Sequence, residues 1–132
     1  MRDKLPILSD RTDKPREYCG VMAVFDPNRL AARYVHRGLL ALQHRGQEGT
    51  GLATVSESGS LHLIAGAGLV RQVLTPSKVA PLRATRAIGH VRYSTVAEEH
   101  PDNHQPICAE TPFGPLALAH NALGHHYAES GQ

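Results

Sequence analysis

Only two cysteines, Cys19 and Cys108, occur in this chain, and no secretory apolar segment accompanies them. That excludes a disulfide framework and points to a reducing compartment. No apolar run approaches the roughly 18 residues that a membrane-spanning helix needs, so no membrane role is expected. Charge of one sign is also scarce in net terms. Lys plus Arg number 14 against 12 Asp plus Glu, and the basic residues are scattered rather than gathered into a patch. This excludes the electrostatic footprint of a nucleic-acid binder. Internal repeats and low-complexity blocks are absent, which removes solenoids and linker arrays. A soluble, cytoplasmic chain is the expectation.

With 132 residues, one domain with one modest core is the limit. A domain of this size buries roughly 65 to 70% of its extended surface. Residues 1–18 are dominated by Arg, Asp, Lys and Glu and read as a disordered, propeptide-like leader. From Cys19 the pattern turns apolar, and 19–25 reads as a strand buried on both faces. Asp26-Pro27-Asn28 breaks it. Asn28 is placed to cap a helix in which Ala31, Val35, Leu39 and Leu42 recur at spacings of three and four, ending near Gln43.

Glycines at 46, 49 and 51 make 44–51 a loop that delivers polar side chains to a strand beginning at Leu52. The runs 52–55 and 61–65 flank Glu57-Ser58-Gly59-Ser60 and predict an antiparallel hairpin. Leu69, Val70, Val73 and Leu74, with Pro76 and Pro81 close behind, allow one or two helical turns. A further strand is expected over 87–93, an extended loop through Pro101, Asn103, Gln105 and Pro106, and a last strand over 116–119 that ends at His120-Asn121. This order of elements favours an α+β domain built on mostly antiparallel sheet.

Several residues invite chemistry. Cys19 is a candidate thiol nucleophile, and Arg45, Arg92 and Asn121 each fall at a strand end or an adjoining loop, where a cleft gathers side chains. His44, His90 and His120 read as loop-orienting hydrogen-bonding residues, and Cys108 as a packed or exposed thiol without a role. His125-His126 near His120 lacks the Cys or carboxylate pattern of a familiar metal set, so no metal site is assigned. Gly66 and Gly68 open a dinucleotide-type fingerprint, but Arg71 occupies its third glycine position and closes that reading.

Six segments in order carry a resemblance. They are Cys19-Gly20-Val21, Leu42-Gln43-His44-Arg45-Gly46-Gln47-Glu48, Gly66-Ala67-Gly68-Leu69-Val70, Ala87-Ile88-Gly89-His90-Val91-Arg92-Tyr93-Ser94-Thr95, Asn103-His104-Gln105-Pro106 and Ala117-Leu118-Ala119-His120-Asn121. Together they resemble the glutaminase domain of amidophosphoribosyltransferases, a class II glutamine amidotransferase domain, over residues 19–121. The resemblance implies an incomplete N-terminal-nucleophile (Ntn) hydrolase-type αββα sandwich of four layers. The remainder, 122–132, reads as a divergent polar tail, and the whole as a truncated form.

What the resemblance implies is specific. Removal of the leader would make Cys19 the first residue, with its thiol and a free α-amino group side by side. An α-amino group has a reference pKa of about 7.7 to 8.0 and a thiol of about 8.5, so the amine can accept the thiol proton near neutrality. The thiolate then attacks the side-chain amide of glutamine. Arg92 is assigned to the glutamine α-carboxylate, with Arg45 and Thr95 also on the substrate side. Asn121 and the backbone N–H of Ala122 are assigned to the oxyanion.

Ala122 stands where the family has glycine, and Val96-Ala97 replaces its small residue and glycine. The ammonia would serve phosphoribosylamine formation in purine synthesis, on a phosphoribosyltransferase domain or chain absent here. No cofactor is implied for the glutaminase chemistry, and magnesium would belong with the phosphoribosyl substrate. Homo-oligomerisation is left open. Two alternatives remain: the glutaminase domain of glucosamine-6-phosphate synthase, whose usual arginine-tyrosine pairing is replaced here by His44-Arg45-Gly46-Gln47, and a noncatalytic remnant that binds a partner.

Overall fold

The computed structural model describes residues 19–93 and 104–121. The leader 1–18, the segment 94–103 with Thr95, and the tail 122–132 with Ala122 and His125-His126 lie outside the described residues.

The described chain runs β1 (Gly20–Phe25), α1 (Ala31–Ala41), a 3-10 turn (Gln43–Arg45), β2 (Gly49–Val55), β3 (Leu61–Ala67), α2 (Val70–Val73), α3 (Pro76–Val79), β4 (Arg86–Arg92), β5 (Ile107–Thr111) and β6 (Gly114–Leu118). Four strands form an antiparallel sheet in the order β1-β4-β2-β3, and β5 and β6 pair as a separate antiparallel hairpin. The architecture is therefore α+β, as the sequence predicts.

Strand register explains where the core lies. Met22, Gly89, Leu52 and Ile64 fall in one row across the sheet, and alternation puts the next row on the opposite face. The first face receives α1. Ala31, Ala32, Val35 and Leu39 are fully buried and join Leu52, Val70, Val73, Leu74, Val79, Ala87 and Val91 in the core. Gly89 permits the close approach of the helix: a Cβ there would meet Val35 Cγ1 at 2.5 Å and Leu39 Cδ1 at 2.7 Å.

The opposite row carries Val21, His90, Gly51 and Ala65. It faces the segment that leads into the β5–β6 hairpin, and a Cβ on Gly51 would collide with the carbonyl of Gln105. The Gln105–Pro106 peptide bond is cis. This face remains partly open, since Val21, Phe25 and Leu63 are exposed.

Three sequence expectations need correction. Strand β1 is an edge strand and buries one face only, with Phe25 68% exposed. Asn28 does not cap α1, whose cap position is Leu30. Asp26 instead braces the turn that precedes the helix, accepting from the backbone N–H of Leu30 at 2.9 Å and of Asn28 at 3.1 Å. Strand β2 begins at Gly49 rather than Leu52. Strand β5 lies between the extended loop through Pro106 and the last expected strand, where the sequence predicts no element.

Asp26→Ala removes a side-chain acceptor from the start of α1. Loss of these hydrogen bonds is expected to lower unfolding stability by about 1 kcal/mol, readable as a lower urea midpoint at unchanged slope.

The hairpin turn behaves as read. Ser56 N–H donates to the Ser60 carbonyl at 2.9 Å, Gly59 N–H donates to the Ser56 carbonyl at 3.0 Å, and Gly59 takes a φ of +83°. That left-handed conformation suits glycine.

Candidate active site

Cys19 immediately precedes β1 at the end of the sheet where β4 finishes. Gly20 pairs with Val91, so Cys19 arrives beside the Arg92-Tyr93 step. Its sulfur is held by both backbone groups of one residue. Tyr93 N–H donates to Sγ at 3.4 Å, and the thiol donates to the Tyr93 carbonyl at 3.7 Å. The residue is half-buried and not disulfide-bonded, the combination of access and fixation that a nucleophile requires.

Arg45 comes to the same place from the 3-10 turn that follows α1. Its Nε–H donates to the Cys19 carbonyl at 3.3 Å, so this guanidinium fixes the main chain of the candidate nucleophile. Arg92 ends β4, paired with Gly49 of β2, and its carbonyl accepts from Glu48 N–H at 3.1 Å. Cys19, Arg45 and Arg92 therefore converge on one end of the sheet, as their spacing in the sequence could only suggest.

The loop between Arg45 and β2 is tightly braced. Gln43 Nε2 donates to the Gly46 carbonyl at 2.6 Å, while its Oε1 accepts from Val70 N–H at 2.7 Å. Glu48 O accepts from Gly68 N–H at 2.9 Å, and Thr50 Oγ1 donates to the Gly68 carbonyl at 2.9 Å. Nothing in the residue type of Gln43 marks it for this role. Its signal was only membership of the Leu42–Glu48 segment.

Asn121 follows β6 and is exposed. Among the described residues, no hydrogen bond joins it to Cys19. The chain just before it is anchored to the sheet: His90 Nε2–H donates to the His120 carbonyl at 3.2 Å, and His120 N–H donates to Gln105 Oε1 at 2.7 Å. His44 Nδ1 lies 3.0 Å from the Ala41 carbonyl. Cys108, on β5, is half-buried, and burial pushes its thiol up.

His90 is completely buried. Burial is the main cause that pushes its imidazole down to about 4 from an ordinary 6.5; the His120 carbonyl opposes the shift, and the charges of His120 and Arg92 add to it. The unfolded chain thus binds a proton between about pH 6.5 and 4 that the folded chain refuses. The resulting stabilisation, up to about 3 kcal/mol, is fully present above pH 6.5 and lost as pH falls toward 4. Urea unfolding at pH 7 and pH 4.5 is expected to show this loss, and His90→Gln should shrink the difference. His36 is also pushed down, mainly by burial, and leaves a smaller acid dependence in the variant.

The described residues form an antiparallel α+β fold with a fixed cysteine leading into the first strand, and the solved structures that match it are of the Ntn-hydrolase type. No family model matches the chain. Among curated proteins it is 44% identical over 121 residues to an amidophosphoribosyltransferase of Synechocystis sp., covering 92% of this chain and 24% of the relative. It is 48% identical over 110 residues to chloroplastic amidophosphoribosyltransferase 1 of Arabidopsis thaliana, covering 83% of this chain and 19% of that protein.

Two solved structures agree. One, titled as the allosteric regulatory enzyme of purine biosynthesis, superposes with a TM-score of 0.65 at 33% identity, covering 74% of this chain and 21% of the other. The glutamine phosphoribosylpyrophosphate amidotransferase from B. subtilis, complexed with ADP and GMP, gives a TM-score of 0.59 at 33% identity, covering 77% and 21%. The chain is thus homologous to amidophosphoribosyltransferases and aligns to their N-terminal part. It spans less than a quarter of the length of these relatives.

Proposed function

We propose that the chain performs the glutaminase half-reaction of an amidophosphoribosyltransferase. The Cys19 thiolate attacks the side-chain amide carbon of glutamine, ammonia departs, and water cleaves the glutamyl thioester to glutamate. The thiol proton passes to the α-amino group of Cys19 once residues 1–18 are removed, and from there to the leaving ammonia. While Cys19 is internal its nitrogen is an amide and cannot serve, which makes processing a chemical requirement.

The single observation behind this reading is the setting of Cys19: its sulfur on the Tyr93 backbone, its carbonyl on Arg45, and Arg92 one residue from that backbone anchor. Arg92 suits the α-carboxylate because a planar guanidinium binds it bidentately. Thr95 and Arg45 complete the substrate side, and Asn121 with the Ala122 N–H supplies the oxyanion contacts.

The ammonia would be consumed in forming phosphoribosylamine for purine synthesis, on a phosphoribosyltransferase domain or chain that also carries the magnesium. The glutaminase chemistry itself needs no cofactor. The setting is cytoplasmic in this reading; among the described residues no helix is long and apolar enough to cross a membrane.

The test is ammonia release from glutamine by the processed chain. Arg92→Ala is expected to raise the glutamine KM about 10- to 100-fold, the worth of a charge-assisted pair, with a smaller change in kcat. An unchanged KM removes Arg92 from the carboxylate. No ammonia release from the processed wild-type chain overturns the reading.

A further inference from the structure

The segment 119–121 lies beyond the end of β6 and has no strand ladder to hold it. Its placement relative to the sheet instead passes through residue 120, whose two backbone groups are both taken by side chains from elsewhere. His120 N–H donates to Gln105 Oε1 at 2.7 Å, and the His120 carbonyl accepts from His90 Nε2 at 3.2 Å. The Gln105 amide also lies 3.4 Å from the His120 ring at Nε2.

Both partners sit on fixed ground. His90 belongs to β4, two residues before Arg92, and is fully buried. Gln105 precedes a buried Pro106, and its carbonyl packs against the glycine surface of residue 51.

From this we infer that His90 and Gln105 are positioning residues for Asn121, gripping the peptide just before it so that its side-chain amide is held where the oxyanion develops. The inference rests on the glutaminase reading for Asn121. A carbonyl can only accept, so the grip requires the Nε2–H tautomer of His90. The ring is neutral at physiological pH because burial disfavours its charged form, and its Nδ1 has no partner among the described residues. A leucine of similar volume would fill the same space without that unpartnered nitrogen, and it would not reach the carbonyl. Oxyanion donors act only when held to within a fraction of an ångström, and a 1 Å misplacement costs about 10²-fold in rate.

The experiment compares His90→Leu and Gln105→Leu with His90→Gln and Gln105→Glu, which keep a donor and an acceptor at similar reach. Amide exchange by NMR on the full chain reads the grip directly. Gln105→Leu is expected to speed exchange of the His120 amide about tenfold or more. Both Leu variants should shift the Asn121 side-chain amide resonance, and the conservative variants should restore it.

In processed chains the Leu variants should lower the glutaminase kcat roughly 10- to 100-fold at unchanged KM. Alkylation of Cys19 by iodoacetamide, which develops no oxyanion, should keep its rate. Unaltered exchange and an unmoved Asn121 resonance in both Leu variants would overturn the inference. So would an unchanged kcat, or a loss confined to KM. If wild-type chain hydrolyses no glutamine, the glutaminase reading falls, while the exchange measurement still decides whether residue 120 is gripped. His90→Leu carries a core change, so a failure of that variant to fold leaves the decision to the Gln105 pair.

Discussion

Cys19→Ala is expected to abolish glutamine hydrolysis, with a fall on the order of 10⁴-fold or more in kcat, because removing a nucleophile leaves only binding and the oxyanion contacts. The fold should survive. Cys19 lies outside β1; among the described residues its sulfur makes the two long contacts to Tyr93, and its carbonyl rather than its side chain goes to Arg45. The alanine keeps that carbonyl, so Arg45 stays docked. Far-UV circular dichroism and the urea midpoint are expected to match the wild type, within the few tenths of a kcal/mol that loss of a half-buried thiol entails. On the proposed pairing of Arg92 with the α-carboxylate, glutamine should still bind. A variant that retains hydrolysis would remove Cys19 from the chemistry altogether.

The second large effect is expected from Gly46→Ala. A Cβ at residue 46 would lie 2.5 Å from the Arg92 carbonyl carbon, 2.6 Å from its oxygen and 2.8 Å from its nitrogen. These are backbone atoms of a strand flanked on both sides by neighbours, so they cannot move aside as a flexible side-chain tip would. The loop must yield instead, yet Gln43 and Gly68 hold it on either side.

Overpacking of this kind costs about 1 to 3 kcal/mol, and here the displacement falls between Arg45 and Arg92. The expected outcome is an unfolding free energy lowered by that amount, read from urea unfolding as a lower midpoint, together with a glutaminase kcat/KM reduced by about 10²-fold. The combination separates this site from one that is merely structural. A fully active, equally stable alanine variant would show that the Gly46–Arg92 contact is not tight in solution.

Much of the fold can be read from the order of residues, and the physics says which parts. The helix α1 is legible because Ala31, Val35 and Leu39 need one buried face, and the hairpin because Gly59 supplies a left-handed turn. The sequence predicts a late start for β2 because Gly49 and Gly51 look like loop formers. In the structure their missing side chains make room for His104 and for the Gln105 carbonyl, a reason that only a distant segment supplies. The two-sided burial expected of β1 failed for a similar reason: strand order, which decides edge from centre, is not a local property.

At the site, the side chains with chemical character announced themselves. Cys19, Arg45 and Arg92 were singled out from the sequence and converge. The Tyr93 backbone that holds the sulfur could not be singled out, because a main-chain role leaves no trace in residue identity. Asn28 does not cap α1; the side chain that bonds at its approach is Asp26, two residues away with similar chemistry, because its carboxylate reaches Leu30 N–H. Gln105 and His90 act on residue 120 across gaps of 15 and 30 positions, beyond any periodic pattern.

The central claim is that the Cys19 thiol, joined to its own free amine, meets glutamine at this end of the sheet. Intact-mass analysis of the purified chain, before and after exposure to a ketone-bearing glutamine-analogue electrophile, tests it most directly. The account predicts loss of residues 1–18 followed by one adduct that maps to Cys19, blocked by excess glutamine and absent in Cys19→Ala. A chain that keeps residues 1–18 and takes no adduct, or one labelled at Cys108 instead, would contradict it.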